Sequence, residues 1–418
     1  MKRSVLREKT AGIVNALSRK ELLEKFAISR VADLTGLDRI GVPVYCCERV
    51  LSESIAIHSG KGLTTEASRA GAILEAIEFE VAGYPSGPYK VASALQIPAD
   101  DRLPLEDCFP VRSSIVNDLT PLAWEEVTNV QNGASTLIPS DLIWLVFRIT
   151  DQPLMHLQMG SNGLASGGTL EDAILSGLYE ILERDAWSLN QYLLDNCGML
   201  PTRTPLINLP ERLEALVRKI EAANLKLHLF EITTDYAVPV YSAILLDRSG
   251  NCAGTFAGYG CHLNAEIAAV RAITEAIQGR GCYISGARDD LFRRQFLLMK
   301  RMNQEKLDTM FSEMEAGALV IEHRALDFPD VKSELRYLLK LIKGHGVNEV
   351  FVKEMGSFLD DSVYIVRVFS PQCEPFRFDY WQPGLRCLSY ARRYLENLSD
   401  GKGKTVPAPE EEGEAWKL

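Results

Sequence analysis

The chain is poor in the residues that build metal and disulfide frameworks. It holds six histidines and nine cysteines among 418 residues. The cysteine count is odd, no CxxC occurs and no His/Cys group has zinc spacing, so buried reduced thiols are the expected state. Without clustered imidazoles, a histidine-ligated metal hydrolase is disfavoured as well. No stretch approaches the roughly 20 apolar residues of a membrane span. Lys2 and Arg3 are followed by Glu8 and Lys9 rather than by an apolar run, so no signal peptide is expected and the cytoplasm is the expected location. A basic excess is missing too. With 45 basic and 56 acidic residues the net charge is -11, which argues against a nucleic-acid binder. A basic peptide or protein partner is compatible with that charge but not shown by it.

What is present is ample core material, 46% hydrophobic residues, enough for about two to three lobes. Residues 1–38 read as an N-terminal arm, charged and helically periodic to about 27. Residues 39–398 read as the main domain, and 399–418, rich in Gly, Lys, Pro and Glu, as a mobile tail. Strands are expected within 40–57, 136–149, 225–233, 238–247, 318–323, 349–354 and 361–369. Helices are expected at 169–194, 208–223, 264–281 and 331–343, with a charged helical stretch at 288–316. The alternation gives an α/β or α+β class with a large mixed sheet content.

Three times, a strand leads to a Gly-rich loop and the loop to a helix, at about 58–82, 160–187 and 257–281. The copies are GKGLTTEASRAGAILEAIE, SNGLASGGTLEDAILSGLYEILERDAW and GYGCHLNAEIAAVRAITEAIQGR. Aligned helices give the triplets Gly71/Glu75/Glu78, Ser176/Glu180/Glu183 and Arg271/Glu275/Gln278. Spacings of i, i+4 and i+7 put each triplet on one helical face. The remaining faces are apolar, so the helices are buried, and burying unpaired carboxylates is costly. Glu75, Glu78, Glu180 and Glu183 therefore need a cation if the repeats converge. Mg²⁺ shared with a polyphosphate meets that need. The glycine loops are read as sources of N–H groups for phosphate, with Lys61, Arg184, Arg271 and Arg280 adding positive charge.

These motifs resemble the YcaO family. The second copy has its Sx3Ex2ER pattern in Ser176, Glu180, Glu183 and Arg184, and the third its ExxQ in Glu275 and Gln278. The first keeps Glu75 and Glu78 but has Gly71 where the family often has serine. The resemblance spans about residues 30–395. It implies a YcaO-type fold with the three units around a central ATP/Mg cleft, and it places Ser176, Glu275 and Gln278 in the ATP set. It also implies ATP-dependent O-phosphorylation of a peptide backbone amide. An internal Cys, Ser or Thr nucleophile would then give an azoline, external sulfide a thioamide, and an amine an amidine. No E1-like domain is expected within these 418 residues, and Pro407-Ala408-Pro409 is followed by nine residues, unlike the Pro-rich terminus of many azoline formers that the resemblance implies. The stretch Arg30 to Val44 resembles stand-alone members that work with a TfuA-like partner, which favours thioamidation. A non-catalytic nucleotide- or peptide-binding scaffold is the reading from another class, and a homodimer is compatible with either.

Other polar residues near the loops have bland readings. His58 and His262 read as satisfied loop histidines. Asp185 could orient Arg184, and Cys261 could carry sulfur. Tyr45, Trp187 and Tyr259 could line an adenine pocket, although core packing is the default. The 288–316 run reads as a solvated face with a partner surface as the alternative.

Overall fold

The computed structural model describes residues 20–50, 52, 55–83, 85, 87–109, 116–145, 157, 160–247, 254–286, 304–320, 326–375 and 383–399. The tail at 400–418, the first 19 residues of the arm, Cys252 and residues 288–303 of the charged run lie outside them. After a short helix α1 (Lys20–Lys25), strands β1 (Ile28–Asp33), β2 (Val44–Arg49) and β3 (Ile57–Lys61) form an antiparallel sheet in that order, and helix α2 (Thr65–Gly83) packs on it. Strands β4 (Lys90–Ser93), β5 (Pro121–Asn129), β6 (Ser135–Pro139) and β7 (Leu164–Gly167) begin a second sheet, followed by helix α3 (Leu170–Cys197). Next come β8 (Thr202–Thr204), helix α4 (Glu211–Ala222), β9 (Leu225–Glu231), β10 (Val240–Asp247) and β11 (Thr255–Cys261). These four strands form a third sheet, ordered β11-β10-β9-β8, covered by helix α5 (Ala265–Ser285). Helices α6 (Gln304–Glu313) and α7 (Val331–Gly344) precede the hairpin β12 (Phe351–Phe358) and β13 (Val363–Phe369). The hairpin completes the second sheet as β4-β5-β12-β13-β7, with β6 also pairing β5, and helix α8 (Leu385–Ser399) follows. The class is α+β, and among the described residues every paired strand is antiparallel.

Local chemistry fixes the two longest helices. Thr169 caps α3 by accepting from the Asp172 N–H, and Asn264 caps α5 by accepting from the N–H groups of Glu266 and Ile267. Gly198 and Gly286 end them in the left-handed region, at φ 63° and 64°. Ile, Leu and Ala side chains of both helices are buried, as their wide apolar faces require.

The glycine loops are corrected. Gly60 belongs to β3 and Gly258 and Gly260 to β11, within strands rather than loops. Their role is close packing. A Cβ would lie 1.8 Å from the Ser68 carbonyl oxygen at Gly60, 2.3 Å from that of Ala272 at Gly258, and 2.2 Å from that of Ala268 at Gly260. Each repeat thus presses helix backbone directly on strand backbone. Gly60→Ala should destabilise by about 3 kcal/mol, the upper range for overpacking. Gly83→Ala, where nothing lies within 4 Å, should be neutral or stabilising. Denaturant midpoints of the two variants check this, and equal midpoints would refute it.

Three other expectations shift. Residues 28–33 of the expected arm are strand β1, paired with β2, so the arm's boundary at 38 lies too far along. The strand expected at 136–149 ends at Pro139, where a 3-10 turn takes over at Ser140–Leu142. Residues 318–320 of the strand expected at 318–323 are not extended in a ladder, and the rest lies outside the described residues.

Candidate functional site

The repeats interlock in a ring. Each helix packs on its own strand and also touches an edge strand of the next copy: α2 on β7, α3 on β11 and α5 on β3. Polar groups occupy all three junctions. At the first, the Ser166 backbone and hydroxyl hydrogen-bond the Glu78 carboxyl. At the second, Trp187 of α3 stacks on Tyr259 of β11, centroids 4.0 Å apart, and the Arg184 guanidinium lies 5.1 Å from the indole. At the third, Lys61 of β3 pairs with Glu275 of α5. Glu75 accepts from the Ser59 N–H at 2.6 Å.

The carboxylates converge strongly enough to perturb one another. Burial, then Glu75 and Glu180, push Glu78 from 4.5 up to about 8, against the Ser166 hydrogen bonds. Burial, then Glu183 and Glu275, push Glu180 up to about 7, against Arg184 and Arg367. Burial and Glu275 likewise raise Glu183, which is 4% exposed. Glu275 goes the other way: burial would raise it, but Lys61, Arg184 and Arg271 together hold it below its ordinary value. Arg184 is raised, because the attraction of Glu180, Glu183 and Glu275 outweighs its burial. Acids from three helices therefore share one field with Lys61, Arg184, Arg271 and Arg367.

Two features suit an anion and a cation as ligands. The Arg271 Nε–H is buried without a hydrogen-bond partner, an unmet donor beside acidic neighbours. Burial first and crowding second raise the Glu78 and Glu180 carboxyls, and a cation beside them would offset both effects. Among the described residues, no three His, Cys, Asp or Glu side chains stand close enough to enclose a metal by themselves.

The other expected site residues divide. Ser176 and Gln278 are half-buried on their helices. A Cβ at Gly71 would sit 3.5 Å from Gly60 Cα, ordinary contact, so space alone does not demand glycine there. Arg280 is corrected. It is 1% exposed, bonds Asp38 at 3.1 Å and Asp247 at 2.8 Å, and lies over Phe256. It ties the segment before β2 to the third sheet and leaves the phosphate set. Asp185 is bound to Arg386, not Arg184. His262 is tied at both nitrogens, to the Asn264 N–H and to Glu334, and burial lowers it to about 4. His58 is buried against Phe79 and lowered to about 3 by burial and Arg49. Burial raises the Cys261 thiol well above its ordinary value, which disfavours a sulfur carrier. Ser166 and Arg367 were missed, because neither lies on a repeated helix.

Acidic and basic side chains from three repeated units thus meet in one buried cluster of an α+β protein. The family model described as YcaO cyclodehydratase, ATP- and Mg2+-binding, matches residues 59–374, and the chain belongs to the YcaO family. ATP and Mg²⁺ are the cofactors of that family. The chain is 32% identical over 380 residues to an uncharacterised protein in the tfuA 3' region of Rhizobium leguminosarum bv. trifolii, covering 88% of this chain and 89% of that one. Its fold matches YcaO from Methanopyrus kandleri bound with AMPPCP and Mg2+, at TM-score 0.69 and 19% identity over 90% of this chain and 94% of that one. It also matches a heterocyclase in complex with substrate and cofactor, at TM-score 0.72 and 17% identity, over 92% of this chain and 55% of that one, so it spans about half that protein's length. No described helix is long and apolar enough to cross a membrane.

Proposed function

We propose that the chain uses Mg²⁺ and ATP to activate a peptide backbone amide by O-phosphorylation, giving a thioamide from external sulfide with a TfuA-like partner. The observation that carries the nucleotide part is the crowding of Glu78, Glu180 and Glu183 beside Arg184 and the unmet Arg271 Nε–H. Glu75, Glu78, Glu180 and Glu183 would hold Mg²⁺. Lys61, Ser176, Arg184, Arg271, Glu275 and Gln278 would face ATP. When bound, ATP supplies the phosphoryl group that makes the amide oxygen a leaving group, and Mg²⁺ offsets the phosphate charge. The protein's part would be positioning and charge neutralisation: Arg184 and Arg271 would orient phosphate oxygens, while Lys61 lowers the Glu275 carboxyl and so favours its ionised form. The relative from the tfuA region supports the thioamide branch.

Mass spectrometry of a candidate peptide incubated with the protein, Mg-ATP, sulfide and a TfuA-like protein tests the reading. A mass gain matching oxygen replaced by sulfur supports it. Loss of one water would give the azoline branch instead, and an unmodified peptide alongside normal ATP binding would favour a scaffold.

A further inference from the structure

Helix α3 presents Glu183 and Arg184 to the acidic cluster, and the very next residue is held from the other side. Asp185 is fully buried and takes a two-pronged bond from Arg386 of α8: Nε to Oδ1 at 3.2 Å and Nη2 to Oδ2 at 2.9 Å. Its Oδ1 also accepts from the Glu374 N–H at 2.9 Å. Ser188, one turn along α3, donates to the Arg184 carbonyl at 2.7 Å and shares that proton with the Glu374 carbonyl at 3.2 Å. The buried Glu374 carboxylate in turn accepts from the N–H groups of Gly384 and Cys387, capping the start of α8. Arg386 completes the circuit. It lies 3.7 Å from the Tyr236 ring centre and reaches Asp235 at 2.6 Å. A planar, always charged fork is well suited to join these groups, and each bond leaves less freedom for α3 to roll or slide.

We propose that Arg386 is a positioning residue for the nucleotide site: by clamping Asp185 it makes α8 a buttress that fixes how α3 offers Glu183 and Arg184. The proposal rests on the Mg-ATP reading above. It concerns side chains that lie outside the acidic cluster and touch no expected ligand.

The test is calorimetric titration of the full chain with Mg-ATP. Wild type serves as the reference, and a wild type that fails to bind sinks the nucleotide reading and this proposal with it. Arg386→Met should weaken binding about 10–100-fold, the usual effect of losing a group that orients ligands from behind. Arg386→Lys should recover only part, since an ammonium cannot reproduce the fork. Arg393→Met breaks a different α8 bond, to Asp235 at 2.6 Å, and should leave affinity unchanged. Should Arg386→Met fail to fold, the pair Asp185→Asn with Arg386→Met removes both clamped charges and decides the matter. Wild-type affinity in folded Arg386→Met or in the pair would overturn the proposal, as would an equal loss in Arg393→Met.

Discussion

Glu183→Ala is expected to abolish magnesium-dependent ATP binding while the fold survives. Glu183 is 4% exposed and faces Glu275, so its ionised form is opposed by burial and by a like charge. Arg184, Arg271 and Lys61 offset this only in part, because its carboxyl stays raised. Removing such a group relieves the cost of burying its charge, the trade expected where function rather than stability selects a residue. The ligand-free variant should therefore melt at or above the wild-type temperature. Wild type should gain about 2.7 kcal/mol from Mg-ATP at a hundred times its dissociation constant, and the variant none. Glu183→Gln keeps the shape and should behave alike. Glu180→Ala should follow, since Glu180 lies in the same field. Calorimetry showing unchanged ATP affinity in either alanine variant refutes the site.

What could be read from the sequence was periodic, and what could not was long-range or shared between two causes. The stripes at Glu75/Glu78, Glu180/Glu183 and Glu275/Gln278 were legible because i, i+4 and i+7 positions share a helical face. The helix expected at 169–194 is Leu170–Cys197, and strands expected at 225–233 and 238–247 are Leu225–Glu231 and Val240–Asp247. The glycines misled because two physical reasons demand the same residue: a tight phosphate loop and direct helix-on-strand packing leave the same letters. Arg280 misled because its partner Asp38 lies 242 residues away, beyond any local pattern. Arg367 gave no signal at all. It sits on β13, outside the repeats, and binds the carbonyls of Ile143, Gly160 and Asn162 before its charge reaches Glu180. The Asp185–Arg386 clamp was hidden likewise by its 201-residue separation.

Between pH 6.5 and 8.5 the ligand-free protein should lose stability as pH rises, and Mg-ATP should bind more tightly over the same range. A carboxyl whose folded value is raised keeps its proton in the folded state after the unfolded chain has released it. The folded state then binds more protons, so stability falls with rising pH until the folded group also ionises. For Glu78 that window runs from 4.5 to about 8, and for Glu180 from 4.5 to about 7. His58 and His262 act oppositely, since they are lowered to about 3 and 4, but their effect is complete near their ordinary 6.5. Buried thiols such as Cys47, raised from 9.0 to about 12, begin to count only at more alkaline pH. In the interval between, Glu78 and Glu180 carry the largest part of the slope, and Glu183, raised as well, adds in the same direction. At 1.36 kcal/mol per unit, less solvent screening of half-buried groups, the pair should cost about 1–2 kcal/mol across it. A metal needs these oxygens bare, so binding should expel protons. The heat of Mg-ATP titration should then depend on the buffer's ionisation heat at pH 6.5 and lose that dependence above pH 8. Glu78→Gln should flatten both the stability slope and the proton release. A rising or level stability slope in wild type, with buffer-independent heats at pH 6.5, would mean that these carboxylates are already ionised and that no crowded acidic site exists.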